Sequence, residues 1–154
     1  MRSTSHARPL EASTVDAVLE HLRGSGARVT TARRAIVAAM VHAHGHRTAD
    51  ELAAEIHAAH PSINRSTVYL NLEELERLGV LVHTHLGHGA ATYHLAANAH
   101  SHLVCECCGA TVSVPMELFT DLAGTMSAQY GFVIDPLHFS VLGTCARCLG
   151  LRDE

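Results

Sequence analysis

The sequence predicts an α+β fold of two small domains, and three features of the chain support that class. Helical patterns of apolar residues fill the first half, short strand-like segments follow them, and four cysteines form two C-x-x-C pairs in the second half. A chain of 154 residues can hold two small domains. Because only 4% of the residues are aromatic, the cores must be built from Ala, Leu and Val, and a structural metal would compensate for such thin cores.

Four helices are predicted in the first 80 residues, because each apolar stripe follows a residue that can cap a helix. The starts are the capping-box pattern of residues 13–16 and the caps Thr30, Thr48 and Asn64. Glycines at positions 24, 45 and 79 end three of these helices. In the fourth helix, the stripe that faces the core consists of Val68, Leu72, Leu75 and Leu78.

A hairpin is predicted after the helices, with strands at 80–86 and 90–95 around a glycine-containing loop. Helices followed by a hairpin indicate a winged helix-turn-helix domain over residues 1–95. Residues 96–99 are predicted to be a hinge, and residues 100–154 a small α/β domain. Its predicted strands are 103–104, 111–114 and 132–142, and its predicted helix is 116–130.

The two C-x-x-C pairs predict a four-cysteine zinc site formed by Cys105, Cys108, Cys145 and Cys148. Each C-x-x-C turn places two thiolates on one side, and two such turns complete the tetrahedral sulfur shell that zinc prefers. The alternatives are two redox motifs or spare buried thiols. Cys107 is left over. Zinc at this site is predicted to be structural.

The charge distribution leaves one region that suits nucleic acid. Net charge is −4, but residues 1–50 carry seven Arg against four acids, whereas the rest of the chain is acidic. The fourth helix adds side chains near its N-terminal end that can reach base edges and phosphates: Arg65, Ser66, Tyr69 and Asn71. The alternative is an ordinary solvated helix face.

Two histidine pairs with strand spacing, His83 with His85 and His100 with His102, indicate metal binding as well. Seven of the 14 histidines are interpreted as surface or hydrogen-bonded residues.

No apolar run approaches the roughly 18 residues of a membrane span. We predict a cytoplasmic protein, because Cys pairs bind metal in that compartment, and we expect neither a membrane partner nor a small organic substrate.

Five segments resemble the ferric uptake regulator family and occur in that family's order, between about residues 14 and 149. They are Arg28-Val-Thr-x-x-Arg33, Thr67-Val-Tyr69, Leu86-Gly-His-Gly-Ala-x-Thr-Tyr-His94, His100-x-His-Leu-Val-Cys-x-x-Cys108 and Gly143-Thr-Cys-x-x-Cys148. The resemblance implies a dimeric, metal-dependent transcriptional repressor that binds a double-stranded DNA operator. It adds Arg28 and Thr67 to the expected DNA-binding residues. The hairpin segment is most similar to the nickel-responsive branch.

The resemblance also implies two regulatory metal sites. The hinge site falls on His46, His94, His100 and His102, and the second site on His83, His85 and His138. A hinge site made only of imidazoles favours nickel first, zinc second and iron third. Two departures from the family are a hinge one residue shorter, with Asn98 in it, and Leu70 where Arg is usual. Arg65 is expected to replace that missing DNA contact.

Two other functions are weighed against the repressor. An iron- or peroxide-responsive regulator of the same family would use carboxylate-bound iron or manganese. A zinc hydrolase, from another class, would need a general base, but the chain has no H-E-x-x-H motif, and no carboxylate is expected beside the paired histidines. The sequence therefore predicts a regulator that is not an enzyme.

Overall fold

The computed structural model describes residues 14–43, 45–87, 89–135, 138 and 140–150. Ser13 of the first predicted cap, His88 of the hairpin loop and residues 136, 137 and 139 of the last predicted strand lie outside these ranges. The helices are α1 (Val15–Gly24), α2 (Thr31–His42), α3 (Ala49–Ala59), α4 (Arg65–Arg77) and α5 (Thr120–Tyr130). The strands are β1 (Arg47–Thr48), β2 (Leu81–His85), β3 (Ala91–Leu95), β4 (Ser101–Cys105), β5 (Thr111–Val114) and β6 (Ser140–Gly143). The predicted α+β class is confirmed.

The chain divides into two compact units. The first comprises the chain up to His83 together with Thr92–Asn98, and the second comprises Thr84–Ala91 together with the chain from Ala99 onward. Among the described residues, no helix has the length and apolar character needed to cross a bilayer.

The first four helices begin at side-chain caps. The side chains of Thr14, Thr30, Thr48 and Asn64 each accept a hydrogen bond from the backbone N–H of the third residue of the helix, at 3.3, 3.2, 3.2 and 2.8 Å. Thr48 and Glu51 form the predicted reciprocal capping box, since the Thr48 amide also donates to Glu51 Oε2 at 2.8 Å. The caps at Thr30, Thr48 and Asn64 are therefore confirmed.

The core of the first unit is the shared apolar face of α1 to α4. Its members with no exposed surface are Val18, Leu19, Leu22, Ile36, Val37, Leu52, Ala53, Val68, Leu72, Leu75 and Val80. At about 1.5–3 kcal/mol for each fully buried aliphatic side chain of this size, this cluster dominates the stability of the unit. The predicted stripe of α4 faces it, with Leu78 partly buried at its edge.

The hairpin after α4 belongs to a three-stranded sheet in the order β1-β3-β2. Gly79 adopts a left-handed conformation with φ of 70°, and the Val80 amide bonds back to the Leu75 carbonyl at 2.9 Å, which ends α4 and starts β2. The two hairpin strands were predicted. Strand β1 was not, because its two residues are too short to show any alternation.

The second unit is built on a sheet in the order β5-β4-β6, with β4 antiparallel to β5 and parallel to β6. The predicted helix 116–130 is divided into a 3-10 turn over Met116–Phe119 and α5. The prediction of a strand over 132–142 is wrong for residues 132–135, which do not form a strand, and within the described part of this segment pairing with β4 begins at Ser140. Phe132 and Val133, whose residue types favour strands, are 62% and 83% exposed and lie outside any strand.

Few side chains of the second unit are buried. Among its described residues these are Thr84, Ser101, His102, Val104, Cys105 and Phe119, and α5 buries none. The unit therefore has far less apolar burial than the four-helix unit. It needs a separate source of stability, and its cysteines are the candidates.

Candidate metal centres and nucleic-acid interface

The four predicted cysteines converge at one end of the second sheet. Cys105 is the last residue of β4, and its carbonyl accepts from the Gly109 amide at 2.8 Å, which closes the turn that carries Cys108. Cys145 and Cys148 lie in a similar turn just after β6, where the Cys148 amide donates to the Cys145 carbonyl at 3.0 Å. The parallel register sets Cys105 opposite Gly143, so both turns follow the carboxyl ends of adjacent strands at the same end of the sheet.

The spacing of the sulfur atoms fits a tetrahedral metal. All four Sγ atoms lie within 4.8 Å of one another, and Cys108 Sγ lies 3.8 Å from Cys145 Sγ. A tetrahedron with Zn–S bonds of about 2.3 Å has edges of about 3.8 Å. Two independent redox motifs have no need to converge in this way. The four-cysteine site is therefore present, with Cys107 outside it.

The surroundings of these thiols shift their pKa values in different directions. The backbone amide of Cys145 lies 3.3 Å from Cys105 Sγ and, with the amide of Cys108, lowers the pKa of the Cys105 thiol to about 6. The Ala110 amide and then the Arg147 guanidinium lower the pKa of Cys108. The pKa of Cys148 is raised, chiefly by its hydrogen bond with Cys145. The surrounding amides thus favour the thiolate forms of Cys105 and Cys108, and the thiolate is the form that binds a metal.

In the first unit, strand pairing brings two of the predicted hinge ligands together. Arg47 on β1 lies opposite Tyr93 on β3, so the next positions in an antiparallel ladder are His46 and His94. Their ring centroids are 5.1 Å apart in an edge-to-face arrangement, and His94 is buried.

In the second unit, the other two predicted hinge ligands lie together at the start of β4. The rings of His100 and His102 have centroids 4.5 Å apart. His102 is only 1% exposed, and its register partners are Ser113 on β5 and Ser140 on β6. Each unit therefore contains one close pair of imidazoles, at least one of which is buried.

The second set of predicted ligands has carboxylate neighbours that were not predicted. His83 Nδ1 contacts Glu76 of α4, and His138 Nδ1 lies 2.8 Å from Asp135 Oδ2. His85 is exposed, and its carbonyl accepts from Ser140 Oγ at 2.8 Å. The expectation that no carboxylate sits beside the paired histidines is wrong for His83. Its partner comes from the preceding helix, so sequence proximity could not reveal it, whereas Asp135 was visible three positions before His138.

The predicted DNA-binding side chains differ in their surroundings. Arg65 and Tyr69 are exposed at the start of α4, and both contact the carboxylate of Asp50 on α3. The hydroxyls of Ser66 and Thr67 each donate to the capping Asn64 Oδ1 at 2.8 Å.

Asn71 is half-buried and held at both ends of its amide. Its Nδ2 donates to the Thr67 carbonyl at 2.7 Å, and its Oδ1 accepts from Arg33 Nε at 3.1 Å. Arg33 also donates to the carbonyl of Arg28, whose own side chain is exposed. Arg33 and Asp50 were not predicted to belong to this surface, although Arg33 stands in one of the segments that carry the family resemblance.

Comparison with known proteins gives consistent results. The chain is 26% identical over 127 residues to the peroxide-responsive repressor PerR of Staphylococcus aureus, covering 82% of this chain and 86% of that protein. Its structure is similar to that of the ferric uptake regulator Fur of Helicobacter pylori, with a TM-score of 0.71, 21% identity and coverage of 93% and 97%. It is also similar to a zinc uptake regulator complexed with zinc and DNA, with a TM-score of 0.64, 21% identity and coverage of 94% and 98%.

The two solved structures are distant in sequence, so they establish the fold. The family model for the ferric uptake regulator family matches residues 24–141, more than three quarters of the chain. That range includes α2 to α5, both sheets apart from the end of β6, and the first C-x-x-C pair. The chain therefore belongs to the ferric uptake regulator family, whose members are metal-responsive regulators and not enzymes.

Proposed function

We propose that this chain is a metal-dependent transcriptional repressor of metal-uptake genes, which acts in the cytoplasm and binds its operator as a homodimer. The observation that carries the proposal is the pair of close imidazoles in each unit, His46 with His94 and His100 with His102. The resemblance to the family implies that these four side chains bind one regulatory ion. Without the ion, the recognition helices of a dimer would be free to leave the spacing of successive major grooves.

The proposed regulatory metal is nickel, with zinc second and iron third. All four proposed ligands are imidazole nitrogens, which suit nickel and zinc better than manganese. The three relatives compared above are named for peroxide, ferric iron and zinc, so nickel rests on the ligand chemistry and on the resemblance of the hairpin. The proposed second metal site is His83, His85 and His138, to which the neighbouring Glu76 and Asp135 would add oxygen donors.

Zinc is proposed for the four-cysteine site, because four thiolates at this spacing match its preferred shell. The homodimer is supported by apolar side chains that the second unit leaves exposed. On its sheet these are Val112, Val141 and Leu142; Leu118 lies in the 3-10 turn before α5, and Leu122 lies in α5 itself. Exposed apolar side chains in this number are typical of a protein that buries them in an interface. The winged-helix role is proposed for the first unit.

The decisive experiment measures operator binding during titration with buffered nickel, zinc, ferrous and manganese ions. The operator would be a duplex enriched from a random library by the metal-loaded protein. Nickel is expected to support binding at the lowest free concentration, and the protein is expected to hold one further zinc that does not exchange. Binding that is the same with and without every one of these metals would refute the proposal.

The peroxide-responsive function is kept as a second candidate because of the similarity to PerR. It is distinguished by treating the iron-loaded protein with peroxide and analysing it by mass spectrometry. An oxidised histidine together with loss of DNA binding would favour a peroxide sensor. Unmodified histidines and reversible binding of nickel or zinc would favour the metal-sensing repressor.

Substitutions at Arg28, Tyr69 and Leu70 should separate the contribution of charge to DNA affinity from the contribution of sequence recognition. If Arg28 binds a phosphate, Arg28→Ala should flatten the plot of log affinity against log salt by about 0.9 for each phosphate that the protein no longer neutralises, with little change in sequence preference. Tyr69→Ala should lower operator affinity and leave the salt slope almost unchanged. The aromatic ring would contact a thymine methyl group or a sugar, and it neutralises no phosphate charge. Leu70→Arg, which restores the residue usual in the family, should raise affinity.

The matched control is Arg77→Ala, at the other end of α4, where the guanidinium is bonded to Glu74 at 2.8 Å. It should change neither the slope nor the preference. If the Arg28, Tyr69 and Leu70 variants all bind the operator like the parent, α4 is not the recognition helix.

A further inference from the structure

One carboxylate joins the two exposed side chains at the start of α4. Asp50 is the second residue of α3, and its Oδ1 accepts from the Arg65 guanidinium and from the Tyr69 hydroxyl. The Arg65 and Asp50 side chains are 61% and 67% exposed, and Tyr69 is 38% exposed. All three residues belong to the first unit.

The geometry makes this interaction relevant to DNA. Arg65 and Tyr69 are four positions apart, so they lie one turn apart on the same face of α4. A single carboxylate oxygen binds both, which limits the rotamers of both before any DNA arrives. A phosphate that approaches Arg65 must also compete with Asp50 for the guanidinium. The pair is exposed, so such an exchange is inexpensive and reversible.

The consequence differs between operator and other DNA. Sequence-independent complexes depend almost entirely on phosphate contacts, so a carboxylate beside the DNA-binding side chains weakens them. In an operator complex, base contacts by the pre-oriented Arg65 and Tyr69 offset that loss.

We propose that Asp50 is a specificity-determining residue: it positions Arg65 and Tyr69 for the operator and disfavours complexes that depend on phosphate contacts alone. This inference rests on the proposed DNA-binding function. It concerns a carboxylate on α3, outside the recognition helix itself.

The test is Asp50→Asn, which removes the charge and keeps an oxygen that can accept from both partners. Binding to the enriched operator and to a scrambled duplex of equal length and composition is measured over a range of salt concentrations. The variant should bind the scrambled duplex about two- to five-fold more tightly per recognition helix, the size expected for one exposed charge pair. The salt slope on that duplex should steepen by up to about 0.9 per helix. The ratio of operator to scrambled affinity should fall.

Asp16→Asn is the matched control, because Asp16 is exposed and occupies the equivalent second position of α1. It changes the net charge by the same amount. If Asp50→Asn leaves the affinity ratio and the slope where Asp16→Asn leaves them, the inference about Asp50 is overturned while the proposed function stands. A parent protein that enriches no sequence in any of the four metals overturns the proposed function, and the role of Asp50 with it.

Discussion

Cys145→Ser is expected to release the zinc proposed for the four-cysteine site, unfold the second unit and abolish the proposed dimer. Zinc sites of this kind contribute apparent free energies of about 10–16 kcal/mol, which is as large as the whole stability of a typical domain, about 5–15 kcal/mol. The second unit has little else to replace that contribution, because α5 buries no side chain and only a few residues of the sheet are buried. Zinc content, sedimentation and thermal unfolding measure the three effects.

Cys107→Ser is the control for this substitution. Cys107 lies in the same turn, is exposed and stands outside the four-sulfur cluster, so the same atom exchange should leave zinc content and dimer unchanged. A Cys145→Ser protein that stays dimeric, zinc-loaded and thermally unchanged would show that the site is not structural.

His100→Ala and His102→Ala are each expected to remove metal-dependent DNA binding and leave one tightly held zinc per chain. Coupling between an effector site and a binding site is typically about 1–3 kcal/mol, so operator affinity at saturating metal should fall by about 5- to 150-fold. His102 is almost fully buried, and its truncation also leaves a cavity. His100 is half-buried, so His100→Ala tests ligation with less effect on packing.

The control is His60→Ala, which removes an exposed imidazole at the end of α3 that has no proposed metal role. Circular dichroism and zinc content should match the parent in all three variants. If either hinge variant still responds to metal at the parent's midpoint concentration, the regulatory ligands lie elsewhere in the chain.

Local chemistry made much of the fold predictable. Thr30, Thr48 and Asn64 cap helices because each can satisfy an amide of its own first turn, and that depends only on neighbouring residues. The stripe of α4 follows from helical periodicity. The cysteine cluster follows from two C-x-x-C turns, whose ligand chemistry leaves few alternatives.

Features that depend on contacts between residues far apart in the sequence could not be predicted from local patterns. Strand β1 exists because Arg47 and Thr48 pair with β3, and two residues carry no pattern of their own. Phe132 and Val133 have the composition of a strand but remain exposed outside the sheet. The contacts of Asp50 with α4, of Arg33 with Asn71 and of Glu76 with His83 join residues from different elements, so they emerge only from tertiary packing.

The parallel pairing of β4 with β6 also determines the order in which the chain can fold. Neighbouring helices build the first unit, whereas the second sheet must bring His102 opposite Ser140 across a long intervening segment. Local contacts form quickly, and pairings between distant segments form slowly. During synthesis the helical unit can fold while two of the four thiolates, those of Cys145 and Cys148, have yet to be made. We therefore expect zinc capture to be a late step, so that zinc scarcity would leave a chain with a folded helical unit and an unassembled second sheet.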